Sequence, residues 1–491
     1  MFQVHVALPS GRSESVSVPE SSKVGDLRIA AQKSFTQGFL RLAADGRVLV
    51  DAAQSLVEAG IQHGDSLMAV ALETKLAASG RKGMAQGGAF AMWCGGDRIV
   101  TWGHQRHGGD SSAFHDQLRR VQHVQATRGA FAAILADGSV VSWGDPICGG
   151  DSSGVEERLR GVQQIQASEC AFAAILADGS VVTWGHSRFG GRITPHVQEQ
   201  LKTVQQIQAT EFAFAAILGD SSVVAWGDPD CGGDSSGVQP QLSSVQQIQA
   251  TETAFAAILA DGSVCTWGEP NYGGDSTGVQ DQLKNVRQIQ ATRRAFAAIL
   301  ADGSVVAWGD PNYGGDSLAA NERLRGVQNV QASECAFAAI LADGSVITWG
   351  DPDYGGDSSA VQDQLRNVQQ IQATSSAFAA ILADGSVITW GDPDYGGDSS
   401  AVQDQLRNVQ QIQATSSAFA AILADGSVVT WTDPDVVVDV FPALGELKSV
   451  QQIQATSGAF AATFLDGSVA TWGEPSYGGD LTAVQSDFTN L

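Results

Sequence analysis

AFAAILADGSVITWGDPDYGGD, residues Ala336 to Asp357, reads as a strand, a two-residue Asp-Gly turn, a returning strand ending in Trp-Gly, and a loop of Asp, Pro and Gly. Copies of it place tryptophan at Trp102, Trp143, Trp184, Trp226, Trp267, Trp308, Trp349, Trp390, Trp431 and Trp472, a step of 41 residues with one step of 42. Ten copies at a fixed period predict a repeat array, in which each unit buries its faces against the next. Recurrence at every period marks these tryptophans as structural.

Within one unit, Phe378, Ala380 and Leu382 alternate with Ala377, Ala379 and Ile381. Both faces are apolar, which predicts a strand covered on both sides. Asp384-Gly385 supplies the positive φ angles of a tight hairpin turn, and eight of the ten units carry Asp-Gly there; Gly96-Asp97 and Asp220-Ser221 are the exceptions. Upstream, VQQIQAT at 368 to 374 predicts a third strand, and Val361, Leu365 and Val368 suggest one helical turn before it. A three-stranded sheet cannot bury both of its faces alone, so stacking on the next unit must do so.

The VQxIQAT-like strand occurs nine times, from Val121 through Thr456, against ten hairpins. The segment before the first hairpin is GRKGMAQ, a poor strand, and the chain ends at Leu491 before another copy. Neither terminus offers a good closing strand. The uniform spacing predicts one continuous array, either a large ring or an open superhelix with capped ends.

The first module differs from the repeats. Phe2, Val4, Val6 and Leu8 alternate with polar or small residues, Gly11 turns the chain, and Val16 and Val18 continue a second strand. Val24, Leu27, Ala31 and Phe35 follow at helical spacing, with Ser22 as the expected N-cap. The order of RLAADGRVL, SLVEAGI and GDSLMAVAL over roughly residues 1 to 72 resembles ubiquitin-like β-grasp domains. That likeness implies a docking or capping unit. It departs from the family in lacking a terminal Gly-Gly, which speaks against conjugation, and in placing Ala43 where ubiquitin's interaction patch has its central isoleucine. Residues 73 to 88, ETKLAASGRKGMAQGG from Glu73, read as a linker, and the array occupies 89 to 491.

The repeat pattern resembles the regulator of chromosome condensation family, whose unit is an apolar strand, Asp-Gly, a strand ending in Trp-Gly and a Gly-rich loop. It is most similar to the compact version with three strands per blade, seen in bacterial β-lactamase-inhibitor propellers. The resemblance implies a mainly β fold of β-propeller type, but with ten units where the family has seven, and with Gly-Gly-Asp at Gly355 to Asp357 in place of Gly-Gln-Leu-Gly.

A formal charge of −25 disfavours a phosphate backbone as partner, and the 43% hydrophobic content predicts a folded chain. Six cysteines, Cys94, Cys148, Cys170, Cys231, Cys265 and Cys335, show no metal or redox spacing and are expected as free thiols of a reducing compartment. With no signal-like start and no apolar stretch long enough to span a bilayer, the expectation is a cytoplasmic or nuclear protein without membrane contact.

Asp351, Asp353 and Asp357 gather carboxylates around glycines, a weak calcium pattern that lacks a distal bidentate Glu; Asx-Pro-Gly turn chemistry accounts for the same residues. His104, His107 and His115 lack further zinc ligands and read as surface-loop residues. No cofactor is expected. Enzyme motifs are missing, and residues 355 to 390 recur at 396 to 431 with a single change, Ile388 against Val429, whereas a catalytic residue is singular. Function is therefore expected in the array's shape or in deviating units. The strongest deviation is Val436, Val437, Val438, Val440 and Phe441, an apolar cluster that is either core or a partner-binding patch. The expected function is a non-enzymatic protein-protein interaction scaffold. Alternatives are an adaptor in the ubiquitin system and, from the family likeness alone, a guanine-nucleotide exchange factor for a small GTPase.

Overall fold

The computed structural model describes residues 1–35, 40–49, 53–72, 74–80, 87–94, 99–432, 447–464 and 468–484. Strands β1 (Phe2–Ala7), β2 (Ser13–Val18), β3 (Leu40–Ala44), β4 (Arg47–Val48) and β5 (Ser66–Ala71) form one mixed sheet in the order β2-β1-β5-β3-β4. β1 and β5 run parallel, while the other pairs are antiparallel. Helix α1 (Val24–Phe35) lays Leu27, Ala31 and Phe35 on the inward residues Val4, Val6, Val16 and Leu67. Its first turn is held by Asp26, whose carboxylate accepts the Lys23 N–H at 2.8 Å, so the cap lies one residue later than Ser22.

Ten three-stranded sheets follow, here called blades 1 to 10 after their tryptophans, Trp102 to Trp472. Blade 8 is typical, with an inner strand Val368–Ala373, a middle strand Ala377–Leu382 and an outer strand Val387–Gly391, all antiparallel. Neighbouring faces mesh: Ala336, Ala338 and Ile340 of blade 7 receive Phe378, Ala380 and Trp390 of blade 8 in one buried cluster. The alternation read from the sequence is thus the alternation of the two faces. Leu365, fully buried, anchors the turn that leads into each inner strand.

Two local expectations change. The hairpin loop has three residues, because Leu382 N–H donates to Ser386 O (2.9 Å) and Gly385 N–H to Leu382 O (2.9 Å). Only Gly385 has positive φ, 79°. Asp384 acts through its carboxylate, which accepts the Ser386 N–H (2.9 Å) and hydroxyl (2.6 Å). In blade 4 Ser221 takes the left-handed position at φ 65°.

The second change concerns the ends. Residues 74 to 78, read as part of a linker, form a strand, Thr74–Ala78, paired antiparallel with Ala89–Cys94. TKLAA does not match VQQIQA, but Leu76 and Ala78 supply the apolar contacts, and a strand position needs no more. Blade 1 is therefore complete, and the array closes. Phe90, Met92, Val100 and Trp102 of blade 1 share one cluster with Ala459 and Ala461 of blade 10. Trp102 Nε1 donates to Gly478 O at 3.1 Å, just as Trp349 donates to Gly314 O at 3.1 Å in the interior. The open superhelix is excluded by this contact.

Each tryptophan is buried and stacked on its own blade's phenylalanine, Phe337 against Trp349 at 5.1 Å between centroids. Leu72 packs on the closing cluster, and Arg28 and Arg41 act electrostatically on Cys94, at the hairpin-turn end of blade 1. The N-terminal unit therefore abuts the ring at the end opposite the Trp-Gly loops.

Candidate interaction face at the loop end of the ring

Each inner strand ends in Thr or Ser, whose hydroxyl ties the strand to the loop beyond the tryptophan: Thr374 Oγ1 donates to Tyr395 O at 2.9 Å. The next residue turns toward the ring axis. At this position the blades carry, in order, Gly80, Arg128, Glu169, Glu211, Glu252, Arg293, Glu334, Ser375, Ser416 and Ser457. Backbone bonds join them circumferentially. Arg128 N–H donates to Glu169 O (3.0 Å), and the pattern repeats blade by blade until Ser416 N–H donates to Ser457 O (2.9 Å). Ala78 and Gly80, with the ends of the inner strands of blades 2 to 8, surround a cavity of about 460 Å³ at this mouth.

The charges on this inner circle are paired. Arg128 bridges to Glu169 at 2.8 Å, and Arg293 bonds both Glu252 and Glu334, the latter at 3.0 Å. Ser375 Oγ donates to Glu334 at 2.9 Å. Glu169 and Glu252 are buried, so their partners are what make their ionisation tolerable there.

A second circle lies outside it, where the residue before each middle strand meets two loops. Gly129 faces His107 of the preceding loop and Cys148 of its own, Phe189 stacks on Phe212 at 4.9 Å, and Arg294 lies between Tyr272 and Tyr313. The same geometry brings Cys148 onto Cys170, which form a disulfide across blades 2 and 3. Six free thiols were expected; the pair was invisible because the two residues are 22 apart and meet only through the blade junction. Burial pushes Cys94, Cys231 and Cys265 up to about 11 and Cys335 to about 12, which keeps these thiols protonated at neutral pH.

The residues singled out from sequence fall as follows. Asp351 caps the short helical turn Pro352–Tyr354 by accepting the Asp353 N–H (3.0 Å), and Asp357 accepts the Ser359 N–H (2.8 Å), so both serve as turn-forming carboxylates. Among the described residues no group of three or more His, Cys, Asp or Glu is arranged to hold a metal. His104 and His107 lie ring to ring at 4.2 Å, with His107 bonded to Gly87 O at 3.1 Å, while His115 lines a separate cavity beside Thr101 and Asp480. Val436, Val437, Val438, Val440 and Phe441 lie outside the described residues. Ala43 pairs with Met68 and Val48, both exposed, so the sheet face around it is apolar even without an isoleucine.

The two circles were not found from sequence, although a signal was there. In a chain whose copies are nearly identical, the two positions after the inner strand's Thr vary between Arg, Glu, Ser, Thr, Cys, Phe and Gly at the repeat period. No helix among the described residues is long and apolar enough to cross a membrane.

No protein-family profile matches the chain, and no curated protein matches it in sequence. Solved structures with similar folds include the computationally designed Ika8 protein, 17% identical, with 64% of this chain and 96% of that one covered and a TM-score of 0.32. The CRINKLY WD40 ectodomain of the Arabidopsis thaliana receptor kinase ACR4 is 17% identical over 54% of this chain and 93% of that one, at 0.31. Prp20p from Saccharomyces cerevisiae, described together with its binding properties to Gsp1p and histones, is 16% identical over 65% and 81%, at 0.36. By its own pattern of strand, turn, strand and Trp-Gly, the array folds as ten three-stranded blades of a mainly β, propeller-like ring.

Proposed function

We propose that this protein is a non-enzymatic protein-interaction scaffold whose loop face carries the partner, with the N-terminal unit as a docking or capping module. One observation carries the reading. Residues that differ between otherwise near-identical blades converge on the two circles of one face, where Arg128, Glu169, Glu252, Arg293 and Glu334 give each sector its own chemistry. Charged and aromatic residues set in a fixed backbone are what selective protein recognition uses. The exposed Met68, Val70 and Val48 around Ala43 favour docking by the N-terminal unit, and an adaptor role in the ubiquitin system is the second reading. Prp20, the yeast RCC1, is solved with Kap60 bound, which makes a protein partner a reasonable class to test.

The test is affinity capture with the full chain, followed by mass spectrometry. Capture is repeated with Glu169→Ser and Glu334→Ser together, which removes charge on the inner circle, and with Met68→Ser and Val70→Ser together. Loss of a partner with the first pair supports the loop-face reading. A partner retained by the first pair and lost with the second assigns binding to the N-terminal unit instead.

A further inference from the structure

Arg294 fills a slot that the repeat builds again at the next two junctions. Its guanidinium carbon lies 4.5 Å from the Tyr272 ring centre and 4.6 Å from that of Tyr313, within cation–π range of both. The walls are tyrosines of successive loops, and the guanidinium between them comes from the residue before the middle strand. One blade further, Tyr313 and Tyr354 flank Cys335; one further still, Tyr354 and Tyr395 flank Ser376. The backbone repeats at each, with the Tyr313, Tyr354 and Tyr395 N–H groups donating to Asp310, Asp351 and Asp392 O at 3.0, 3.1 and 3.1 Å. Cys335 and Ser376 are far shorter side chains than Arg294, and both are buried.

Tyr354, the wall shared by the two slots, has carboxylates beside it, and guanidiniums stand at Tyr313. Glu334 and Asp351 lie close enough to Tyr354 to help raise its pKa, after burial, Arg294 and Arg293 act on Tyr313 in the opposite sense, and Cys335 acts on both tyrosines, which places it near both. A planar cation is what a pair of aromatic faces holds best, and arginine stacks there where the compact lysine ammonium does not.

We infer that the slots at Tyr313/Tyr354 and Tyr354/Tyr395 take arginine side chains of a partner polypeptide, as the chain's own Arg294 fills the slot before them. This rests on the scaffold reading above and names the partner's chemistry. Two adjacent slots on one rigid ring favour an extended segment carrying two arginines over one that carries a single arginine.

The probe is a fluorescein-labelled peptide of four Arg-Gly-Gly units, compared with its Lys-Gly-Gly counterpart by fluorescence polarisation on the full chain. The arginine peptide is expected to bind at least about ten-fold more tightly than the lysine peptide. Cys335→Arg and Ser376→Arg fill the slots from inside, in the manner the fold already accepts at Arg294, and together they should erase that preference with the melting temperature kept. Should the filled variants fail to fold, Tyr354→Leu removes the wall shared by both slots and should erase the preference equally. Equal binding of the two peptides, no binding of the arginine peptide, or a preference that survives both changes overturns the inference. A partner captured from extract and retained by the filled variants would sink the slots and leave the scaffold standing. An arginine preference in a chain that captures nothing would do the reverse.

Discussion

Replacing Gly478 by Ala probes ring closure at the junction of blades 10 and 1. Gly478 sits at φ 94°, and a Cβ there would lie 2.7 and 3.0 Å from Cδ2 and Cε2 of Phe90, a ring with no exposed surface. Interior Gly355 is its counterpart, at φ 86° with contacts of 2.6 and 2.9 Å to Phe378. The left-handed backbone costs an alanine about 1–2 kcal/mol. Pressing a methyl into a packed aromatic adds about 1–3 kcal/mol. Each substitution should therefore destabilise the ring by about 2–5 kcal/mol. Gly11 isolates the first effect, since it has φ 87° and nothing within 4 Å of its Cβ position, so Gly11→Ala should cost only about 1–2 kcal/mol. Urea denaturation compares the three, followed by tryptophan fluorescence for the two ring variants and by far-ultraviolet circular dichroism for Gly11→Ala, whose unit holds no tryptophan. A cost for Gly478→Ala no larger than for Gly11→Ala, beside a full cost for Gly355→Ala, would show that blades 10 and 1 do not touch in solution.

Trp349→Ala should destabilise the array by about 3–5 kcal/mol, because it empties a buried site and strands the Gly314 carbonyl; an unchanged thermal midpoint would contradict this. Cys170→Ala should cost about 2–4 kcal/mol under oxidising conditions and far less in reductant, read as the difference between two urea midpoints. The turn aspartates Asp137, Asp178, Asp261, Asp302, Asp343, Asp384 and Asp425 all have pKa values lowered, first of all by a hydrogen bond from the serine two residues on. A folded pKa below the unfolded one gives stability that is present above about pH 4 and lost as pH falls through the folded value, so the melting temperature should drop on acidification below about pH 4. The drop should shrink when several of these residues are Asn, and a drop unchanged by those substitutions would assign it to other groups.

Periodicity made most of the fold legible: the tryptophan spacing gave the ten units, and the alternation around Phe378 gave the two buried faces. What escaped was whatever depends on a neighbour. TKLAA at 74 to 78 carries no repeat signature, yet it pairs because the Ala89–Cys94 edge and the Leu76 contact define the site. Cys148 and Cys170 look unrelated along the chain and meet because a loop of one blade lies over the next. The Asp-Gly turn was recognised with the wrong loop length, since the distinction lies in which residue carries the closing bond, Ser386. Asp351 and Asp357 drew notice as possible ligands because turn carboxylates and metal carboxylates share a composition; only their bonds to Asp353 and Ser359 separate the two.

All three strands of blade 1 come from the N-terminal side of the array and all three of blade 10 from the C-terminal side, so no strand crosses the closing junction. Closure rests on packed surfaces. A head-to-tail contact repeated by one rotation makes a ring only when that rotation divides a full turn, and otherwise makes a helix. Gly478 meeting Phe90 and Trp102 as Gly314 meets Phe337 and Trp349 means that the wedge of one blade is a tenth of a turn. The side chains between blades set that wedge: the flat face of Ala336, Ala338 and Ile340 against the bulk of Phe378 and Trp390. A change in those sizes at any junction tilts every later blade and opens the last, so the junction residues are nearly the same in all copies, with Met92 and Trp93 of blade 1 and Thr463 of blade 10 as departures. Residues past the inner strand's Thr lie at the loop end of each junction and not between the sheets, so they are less tightly bound by the wedge. The same geometry that makes the copies alike thus leaves the two circles free to differ, and that freedom is why the recognition proposed above is placed on the tyrosine slots and the charged inner circle and not on the tryptophans.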